Sequence, residues 1–218
     1  MKYAVLGTGV VGQTIGAKLM QLGHQVCLGS RTAASEAGQD WVERIGSGAT
    51  TSTFAAATDF GERVFNCLPG VHAVEVLSAI PSQAFTDKLL VDVTNPLDFS
   101  GGFPPSLSVA NTDSLGEQIQ RALPNVSVVK TLNTVNASLM VDPTRVPGQH
   151  NIFVAGNDAS AKQAVSALLT DFGWTGDSVI DLGGIEAARA TEMYLPLWLQ
   201  LMAHVGSSDF NIRLVKPG

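Results

Sequence analysis

The 218-residue sequence has few charged residues, few aromatic residues and few cysteines. Only 13 residues are Lys or Arg against 19 Asp or Glu, so the formal net charge is −6. Binding to nucleic-acid phosphates needs clustered basic side chains, and this balance therefore argues against a nucleic-acid partner. A hydrophobic content of 45% excludes intrinsic disorder and predicts one large domain, alone or with a smaller one.

The residue patterns of metal sites and of hydrolase nucleophiles are also missing. Cys27 and Cys67 lie within apolar stretches and are predicted to be buried, reduced thiols. The four histidines have no ligand spacing with one another or with the cysteines, so we expect no metal site. There is no G-x-S-x-G motif and no cysteine beside a plausible base, which disfavours nucleophilic catalysis.

No hydrophobic run is long enough to cross a membrane. The most apolar stretch, residues 194–202, is far shorter than the ~20 residues of a membrane span and contains Pro196 and Gln200. The N-terminus enters an apolar strand at once and does not resemble a signal peptide, so we expect a cytoplasmic protein without membrane association. The apolar stretch predicts a helix kinked at Pro196 and buried on most sides, packed between the domains or against a second subunit. A homodimer is favoured, with burial inside the monomer as the alternative.

Short apolar runs alternate with helical patterns, as is typical of a parallel sheet with crossover helices. Strands are predicted at residues 3–6, 25–28, 63–68, 89–93, 126–132, 152–155 and 179–182. Helices are predicted from residue 11, over 34–45, after residue 70, after a capping box at Ser114, and over 159–172 and 185–205.

Residues 142–148 form the candidate linker between two domains. The sequence therefore predicts an α/β fold, with a Rossmann-type doubly wound parallel sheet over residues 1–145 and a smaller C-terminal α/β domain over residues 146–218.

A glycine-rich segment lies between the first predicted strand and the first helix. In the dinucleotide-binding fingerprint G-x-G-x-x-G, Gly7 would make the tight turn, Gly9 would let the backbone approach a pyrophosphate, and Gly12 would let the helix pack closely. The free N–H groups at the helix N-terminus would face the phosphates. The predicted binding loop is Gly7, Thr8, Gly9, Val10, Val11 and Gly12.

The end of the second predicted strand favours NADP over NAD. Folds that prefer NAD place an Asp or Glu there for the ribose 2′-hydroxyl. This chain has Ser30 and Arg31 instead, with no acid before Glu36. A guanidinium and a hydroxyl suit a 2′-phosphate, which a carboxylate would repel.

Three further strand ends are candidates for the wall of the cofactor site, because ligands of this architecture lie beyond the carboxyl ends of the strands. These residues are Asn66, Leu68 and Pro69 after one strand, Asn95 after the next, and Asn133 and Thr134 after a third. Capping or turn formation is the alternative role for each of them. No catalytic residue is assigned, since hydride transfer between two redox cofactors needs no protein acid. Reduction of a small carbonyl or imine would need one, with His72 and Lys130 as candidates.

Over essentially its whole length, the sequence resembles the NADPH-dependent coenzyme F420 oxidoreductases and related dinucleotide-binding oxidoreductases. The resemblance is carried by residues 7–12, 22–26, 29–31, 130–134, 154–158, 181–184 and 212–214. It implies that NADP is held by Thr8, Gly9, Val10, Val11, Ser30 and Arg31.

The resemblance also implies a deazaflavin stacked against the nicotinamide in a cleft between the two domains. The implied acceptor site comprises Asn133, Thr134, Val135, Gly206 and Ser207. Archaeal members that use F420 carry a His where this chain has Asn133, and a basic residue shortly after the Ser-Arg pair, where this chain has residues 33–36. The small-molecule acceptor therefore stays open between F420, flavin and a small carbonyl or imine, and a non-catalytic NADP sensor is the third hypothesis.

Overall fold

The computed structural model describes residues 1–217, which form ten strands and nine α-helices. The strands are β1 Lys2–Leu6, β2 Gln25–Ser30, β3 Ala49–Thr53, β4 Arg63–Asn66, β5 Leu89–Asp92, β6 Leu97–Asp98, β7 Ser106–Leu107, β8 Ser127–Thr131, β9 Ile152–Gly156 and β10 Val179–Asp181. The helices are α1 Val10–Gln21, α2 Glu36–Ile45, α3 Phe54–Phe60, α4 Gly70–Ala79, α5 Leu115–Ala122, α6 Ala137–Val141, α7 Ala159–Phe172, α8 Ala188–Met193 and α9 Leu195–Val205.

Eight strands form one sheet in the order β10-β9-β8-β5-β4-β1-β2-β3, and β6 and β7 form a separate antiparallel hairpin. Neighbouring strands of the large sheet are parallel except for β8 and β9. The chain order reverses between β1 and β4, which opens a crevice at their carboxyl ends. This is the predicted Rossmann-like α/β fold, and the crevice lies where such folds bind their ligands.

Both faces of the sheet are covered by helices, which is why its strands read as continuous apolar runs. Helices α1, α2, α6 and α7 cover one face, where Trp41 and Trp174 are fully buried. Helices α3, α4 and α5 cover the other face, where Leu77 and Ile119 are fully buried. The predicted capping box is confirmed, since the Ser114 hydroxyl accepts the Glu117 N–H at 3.1 Å and begins α5.

The predicted C-terminal domain contributes β9 and β10 to the same sheet. Strand β9 pairs with β8 across the candidate linker, and β10 pairs with β9. Part of that linker, Pro143–Arg145, is a short 3-10 helix whose first turn is capped by Asp142. The division at residues 145 and 146 therefore falls within a continuous sheet, and as a domain boundary it stays a prediction.

The predicted last helix is wrong in its continuity, whereas its burial against a second subunit stays a prediction. A 3-10 turn, α8 and α9 follow one another over this stretch, and Pro196 lies in the first turn of α9, where its missing N–H costs nothing. Leu195 and Leu199 are the buried residues of α9, whereas Leu197 and Val205 are more than half exposed. No helix within residues 1–217 is both long and apolar enough to span a bilayer.

Candidate active site

The turn after β1 joins three strands at the crevice, and only glycine fits it. Gly7 has a φ of 121°, and its N–H donates to the carbonyl oxygen of Gly29 at 2.9 Å. A Cβ atom at Gly7 would lie 2.6 Å from the carbonyl oxygen of Cys67. The turn is therefore held between the ends of β2 and β4.

Gly9 and Gly12 have opposite surroundings. A Cβ atom at Gly12 would lie 2.1 Å from the carbonyl oxygen of Gly7, so α1 can approach the turn only without a side chain there. A Cβ atom at Gly9 would meet no atom within 4 Å. Gly9 precedes α1, whose first N–H groups have no side-chain cap, so a free helix N-terminus faces open space.

This open space is the glycine-loop cavity, of about 970 Å³. Its lining includes Gly7, Thr8, Gly9, Val10, Val11, Ser30, Arg31, Leu68, Pro69, His72 and Glu75. Ser30 is buried and its hydroxyl donates to the carbonyl oxygen of Thr32. Arg31 is exposed, and within residues 1–217 its guanidinium has neither an ion pair nor a hydrogen bond. Glu75 on α4 is an acid that the spacing of the glycine motif did not reveal.

A second cavity, of about 530 Å³, lies beside the first and is called here the hairpin cavity. Its lining includes Leu97, Asp98 and Phe99 of the β6–β7 hairpin, Asn95, Asn133, Thr134 and Val135 at strand ends, and Leu195 and Trp198 of α9. Four residues line both cavities, namely Val11, Cys67, Leu68 and Pro69. The two cavities are therefore joined across the ends of β1 and β4.

Asn95 and Asn133 bind each other at the floor of the hairpin cavity. The Asn95 amide donates to the Asn133 carbonyl oxygen at 2.7 Å, and the Asn133 amide donates to the Asn95 side-chain oxygen at 2.9 Å. Leu132, just before Asn133, has a φ of 62°, a left-handed conformation that is rare for leucine and tends to occur at functional sites. The ends of β5 and β8 are thereby fixed to each other.

Not every predicted site residue reaches a cavity. Asn66 is 0% exposed and lines neither cavity, because its amide donates to Asp92 at 2.9 Å beneath the surface. Gly12 lines neither cavity and acts through helix packing. Gly206 and Ser207 lie beyond α9 and line neither cavity. The other residues predicted to bind the cofactor or the acceptor line one cavity or both.

Lys130 lies below the hairpin cavity in a cluster of buried charges. Its Nζ donates to Asp92 at 2.7 Å, to Glu192 at 2.8 Å and to the Thr94 carbonyl oxygen at 2.6 Å, and all three charged side chains are at most 1% exposed. Burial alone would lower the pKa of Lys130, but the two carboxylates outweigh it and raise the pKa. Glu192 also accepts the N–H groups of Leu115 and Gly116 at the start of α5.

Neither candidate proton donor faces the hairpin cavity. Lys130 is enclosed by Asp92, Glu192 and the Thr94 carbonyl oxygen and lines neither cavity, so its ammonium does not reach a substrate there. His72 is exposed and lines the glycine-loop cavity instead. Acid catalysis by either side chain on a carbonyl or imine substrate in the hairpin cavity is thereby disfavoured.

Trp198 is a cavity residue that the sequence did not single out, because its apolar segment was interpreted as core or dimer contact. Its ring stacks on Phe210 with centroids 5.5 Å apart. Within the described chain, three buried polar atoms have no hydrogen-bond partner, namely Thr134 Oγ1, Tyr194 OH and Trp198 Nε1. Thr134 and Trp198 both line the hairpin cavity, and unpaired atoms of this kind indicate a place where a polar ligand can bind.

We expect Cys67 to resist thiol reagents in the folded protein, although it lies where the two cavities meet. Cys27 is buried as predicted, whereas Cys67 is only partly buried at the junction. Desolvation of its thiol, and then the charge of Asp92, nevertheless raise the pKa of Cys67 far above its usual range, and desolvation also raises the pKa of Cys27. At pH 8 a thiolate-selective reagent should leave both thiols largely unmodified until the chain is unfolded in guanidinium. Rapid native labelling that Cys67→Ser abolishes would contradict this expectation.

Three comparisons agree on the relatives of this chain. Residues 2–96 match the family model described as NADP oxidoreductase, coenzyme F420-dependent. A crystal structure from Arthrobacter sp. FB24, provisionally named an F420-dependent NADP reductase, is 46% identical with a TM-score of 0.93 and covers 99% of this chain and 100% of its own. The F420-dependent NADP reductase of Methanothermobacter marburgensis is 29% identical over 92% of each chain. The rat metalloreductase STEAP3 is 26% identical over 90% of this chain and 38% of its own length.

The glycine turn lies at the reversal point of the sheet, and the relatives are NADP oxidoreductases. The protein is therefore an NADP-dependent oxidoreductase with a Rossmann-like fold. Within that class, the chain belongs to the family of coenzyme F420-dependent NADP oxidoreductases.

Proposed function

We propose that the protein transfers hydride between NADPH in the glycine-loop cavity and a deazaflavin, coenzyme F420, in the hairpin cavity. The observation that carries this proposal is the junction of the two cavities at Val11, Cys67, Leu68 and Pro69. A junction of this kind allows two bound rings to meet while apolar side chains keep water away. The F420-dependent reductase activity in the names of the two relatives supports the same acceptor.

The glycine-loop cavity fits NADP by its shape and charge. The open space at Gly9 and the uncapped start of α1 suit a pyrophosphate, to which Thr8, Val10 and Val11 would present their backbone. We propose that Ser30 and Arg31 hold the 2′-phosphate, because Arg31 has no competing partner within residues 1–217. Leu68 and Pro69 would then flank the nicotinamide.

The hairpin cavity fits a planar ring acceptor. Phe99, Val135 and Trp198 supply apolar surface, while Thr134 supplies a hydroxyl that can rotate toward a ring carbonyl. NADPH supplies the hydride, and a deazaflavin or flavin that accepts it takes up its proton from solvent. The chain contributes position and exclusion of water. We also propose that the protein is a homodimer, because α9 leaves the apolar side chains of Leu197 and Val205 exposed. We propose a cytoplasmic location, because Cys27 and Cys67 are free thiols.

The reaction is tested by mixing the protein anaerobically with NADPH and oxidised F420 and following the absorbance of the deazaflavin. We expect rapid bleaching that NADH does not support. Tight NADPH binding without bleaching of F420, FMN or riboflavin would refute the proposed acceptor class and favour either a small carbonyl substrate or the NADP sensor.

Arg31→Ala is expected to weaken NADPH binding by about 1.5–3 kcal/mol, or about 10- to 150-fold, because it removes the charge-assisted bonds to the 2′-phosphate. NADH binding should barely change. Titration calorimetry with both nucleotides measures the difference. Arg44→Ala is the matched control, since Arg44 contacts Gln13 and does not line the glycine-loop cavity. Equal losses for NADPH and NADH would contradict the role given to Arg31.

A further inference from the structure

Two side chains of the hairpin cavity carry polar atoms that make no hydrogen bond. Thr134 lies in the turn after β8 and is 2% exposed, and its Oγ1 has no partner within residues 1–217. Trp198 lies on α9, and its buried Nε1 has no partner in the same part of the chain. Both residues line the hairpin cavity, whereas Tyr194, the third residue with such an atom, lines neither cavity. Two unpaired atoms at one cavity indicate a ligand that supplies their partners.

The unpaired indole N–H distinguishes Trp198 from the other two tryptophans of the sequence. Trp41 and Trp174 each donate their Nε1–H to a backbone carbonyl oxygen, at 3.1 and 3.0 Å. Trp198 instead stacks its ring on Phe210, with centroids 5.5 Å apart and planes 24° apart. Stacking holds the ring through its face and leaves the N–H at the ring edge without an acceptor. The position of this indole is therefore set by packing, and its hydrogen bond is left for a ligand.

We propose that Trp198 is a specificity-determining residue, which together with Thr134 binds the pyrimidinedione edge of the acceptor ring. This inference rests on the proposed function, since it concerns the acceptor of that reaction. Deazaflavins and flavins share this edge, which has two carbonyl oxygens with an N–H group between them. The indole N–H only donates, so it fits a carbonyl oxygen, while the Thr134 hydroxyl donates to the other oxygen or accepts the ring N–H. Both protein atoms are buried, and a rotation about the side-chain bonds brings each of them to the ring.

The test measures binding of F420, lumiflavin and phenazine to the NADP⁺-saturated protein by equilibrium dialysis, alongside the reduction of F420 by NADPH. Lumiflavin is the flavin ring without a tail, and phenazine is a three-ring heterocycle of similar size without carbonyl groups. Trp198→Phe keeps an aromatic ring against Phe210 but removes the N–H. It should weaken binding of F420 and lumiflavin about 3- to 10-fold and leave binding of phenazine unchanged.

The Thr134 variants repeat the test on a separate element of the fold. Thr134→Val removes the hydroxyl at nearly constant volume and should cause the same selective loss, whereas Thr134→Ser keeps the hydroxyl and should bind the ring nearly as well as the wild type. Trp41→Phe is the matched control, since it makes the same substitution at a tryptophan that lines neither cavity. It should change the affinity for none of the three ligands.

The outcomes separate this inference from the proposed function. If Trp198→Phe or Thr134→Val weakens lumiflavin and phenazine equally, or weakens neither, recognition of the ring edge is overturned whether or not NADPH reduces F420. A selective loss for lumiflavin in a protein that does not reduce F420 would support recognition of the ring edge and refute the hydride reaction. If the wild type binds NADPH but neither lumiflavin nor F420, both proposals fail.

Discussion

Lys130→Met is expected to lower the free energy of unfolding by about 3–5 kcal/mol, the usual cost of removing one partner from a buried ion pair. Methionine has nearly the length of lysine, so little volume is lost. The cost arises because Asp92 and Glu192 would stay buried without their cation. The loss is measured by urea unfolding at pH 7.

Two comparisons separate this effect from a general effect of lysine removal. Lys162→Met breaks an ion pair with the half-exposed Asp181 and should cost less than about 1 kcal/mol. Lys130→Met combined with Glu192→Gln should recover part of the loss, because one of the two unpaired charges is removed. A cost below about 1 kcal/mol for Lys130→Met would show that the cluster contributes little to stability.

The pH dependence of this contribution follows from the direction of the pKa shift. The pKa of Lys130 in the folded protein is raised above its ordinary value of 10.5. A cation whose pKa is raised on folding stabilises fully below the unfolded-state value, and the stabilisation is lost as the pH rises through the folded-state value. The difference between wild type and Lys130→Met should therefore be constant from pH 7 to about 9.5 and shrink only above about 10.5.

The elements that sequence reasoning predicted well are those with strong local signals. Helix α7 has the predicted bounds, because Asp158 caps its start, apolar residues repeat along one face, and Gly173 ends it in a left-handed conformation. Strand β3 was missed, since Ala49–Thr53 is rich in threonine and shows no apolar alternation. It is a strand only because β2 pairs with it, and that pairing is a tertiary contact.

The residues of the candidate site also fall into two groups, those that a local sequence signal predicts and those that only tertiary contacts bring together. The glycine loop, Ser30 and Arg31 could be predicted because the fingerprint fixes their position relative to β1 and β2. The buried cluster could not, since Glu192 meets Leu115 across 77 residues of chain and Lys130 meets Asp92 across 38. Asn66 was predicted on the right strand end but faces the interior, because Asp92 binds its amide. A strand end identifies the edge of the sheet where a ligand binds, while the hydrogen bonds of each side chain determine whether it reaches that ligand.

Gly12→Ala is expected to lower the free energy of unfolding by about 3 kcal/mol, at the upper end of the usual cost of overpacking. The new Cβ would lie 2.1 Å from the Gly7 carbonyl oxygen, a backbone atom that cannot rotate away. Helix α1 would have to move from the turn, which would displace the N–H groups at its start. We therefore also expect NADPH binding to weaken about 100-fold, equivalent to losing roughly one charge-assisted hydrogen bond.

Gly9→Ala tests whether the open space at Gly9 is needed for ligand binding or for packing of the fold. Gly9 has a φ of −77° and no atom within 4 Å of the new Cβ, so stability should change by less than about 1 kcal/mol. The methyl group would enter the space proposed for the pyrophosphate, and NADPH binding should weaken about 10-fold.

Gly176→Ala is the control: its new Cβ also meets no atom within 4 Å but lies outside both cavities, so stability and NADPH binding should both stay unchanged. Thermal unfolding and nucleotide titration on the three variants distinguish these expectations. If Gly9→Ala destabilises the fold as much as Gly12→Ala, the two glycines serve the same packing role, and the open space at Gly9 is not the phosphate site.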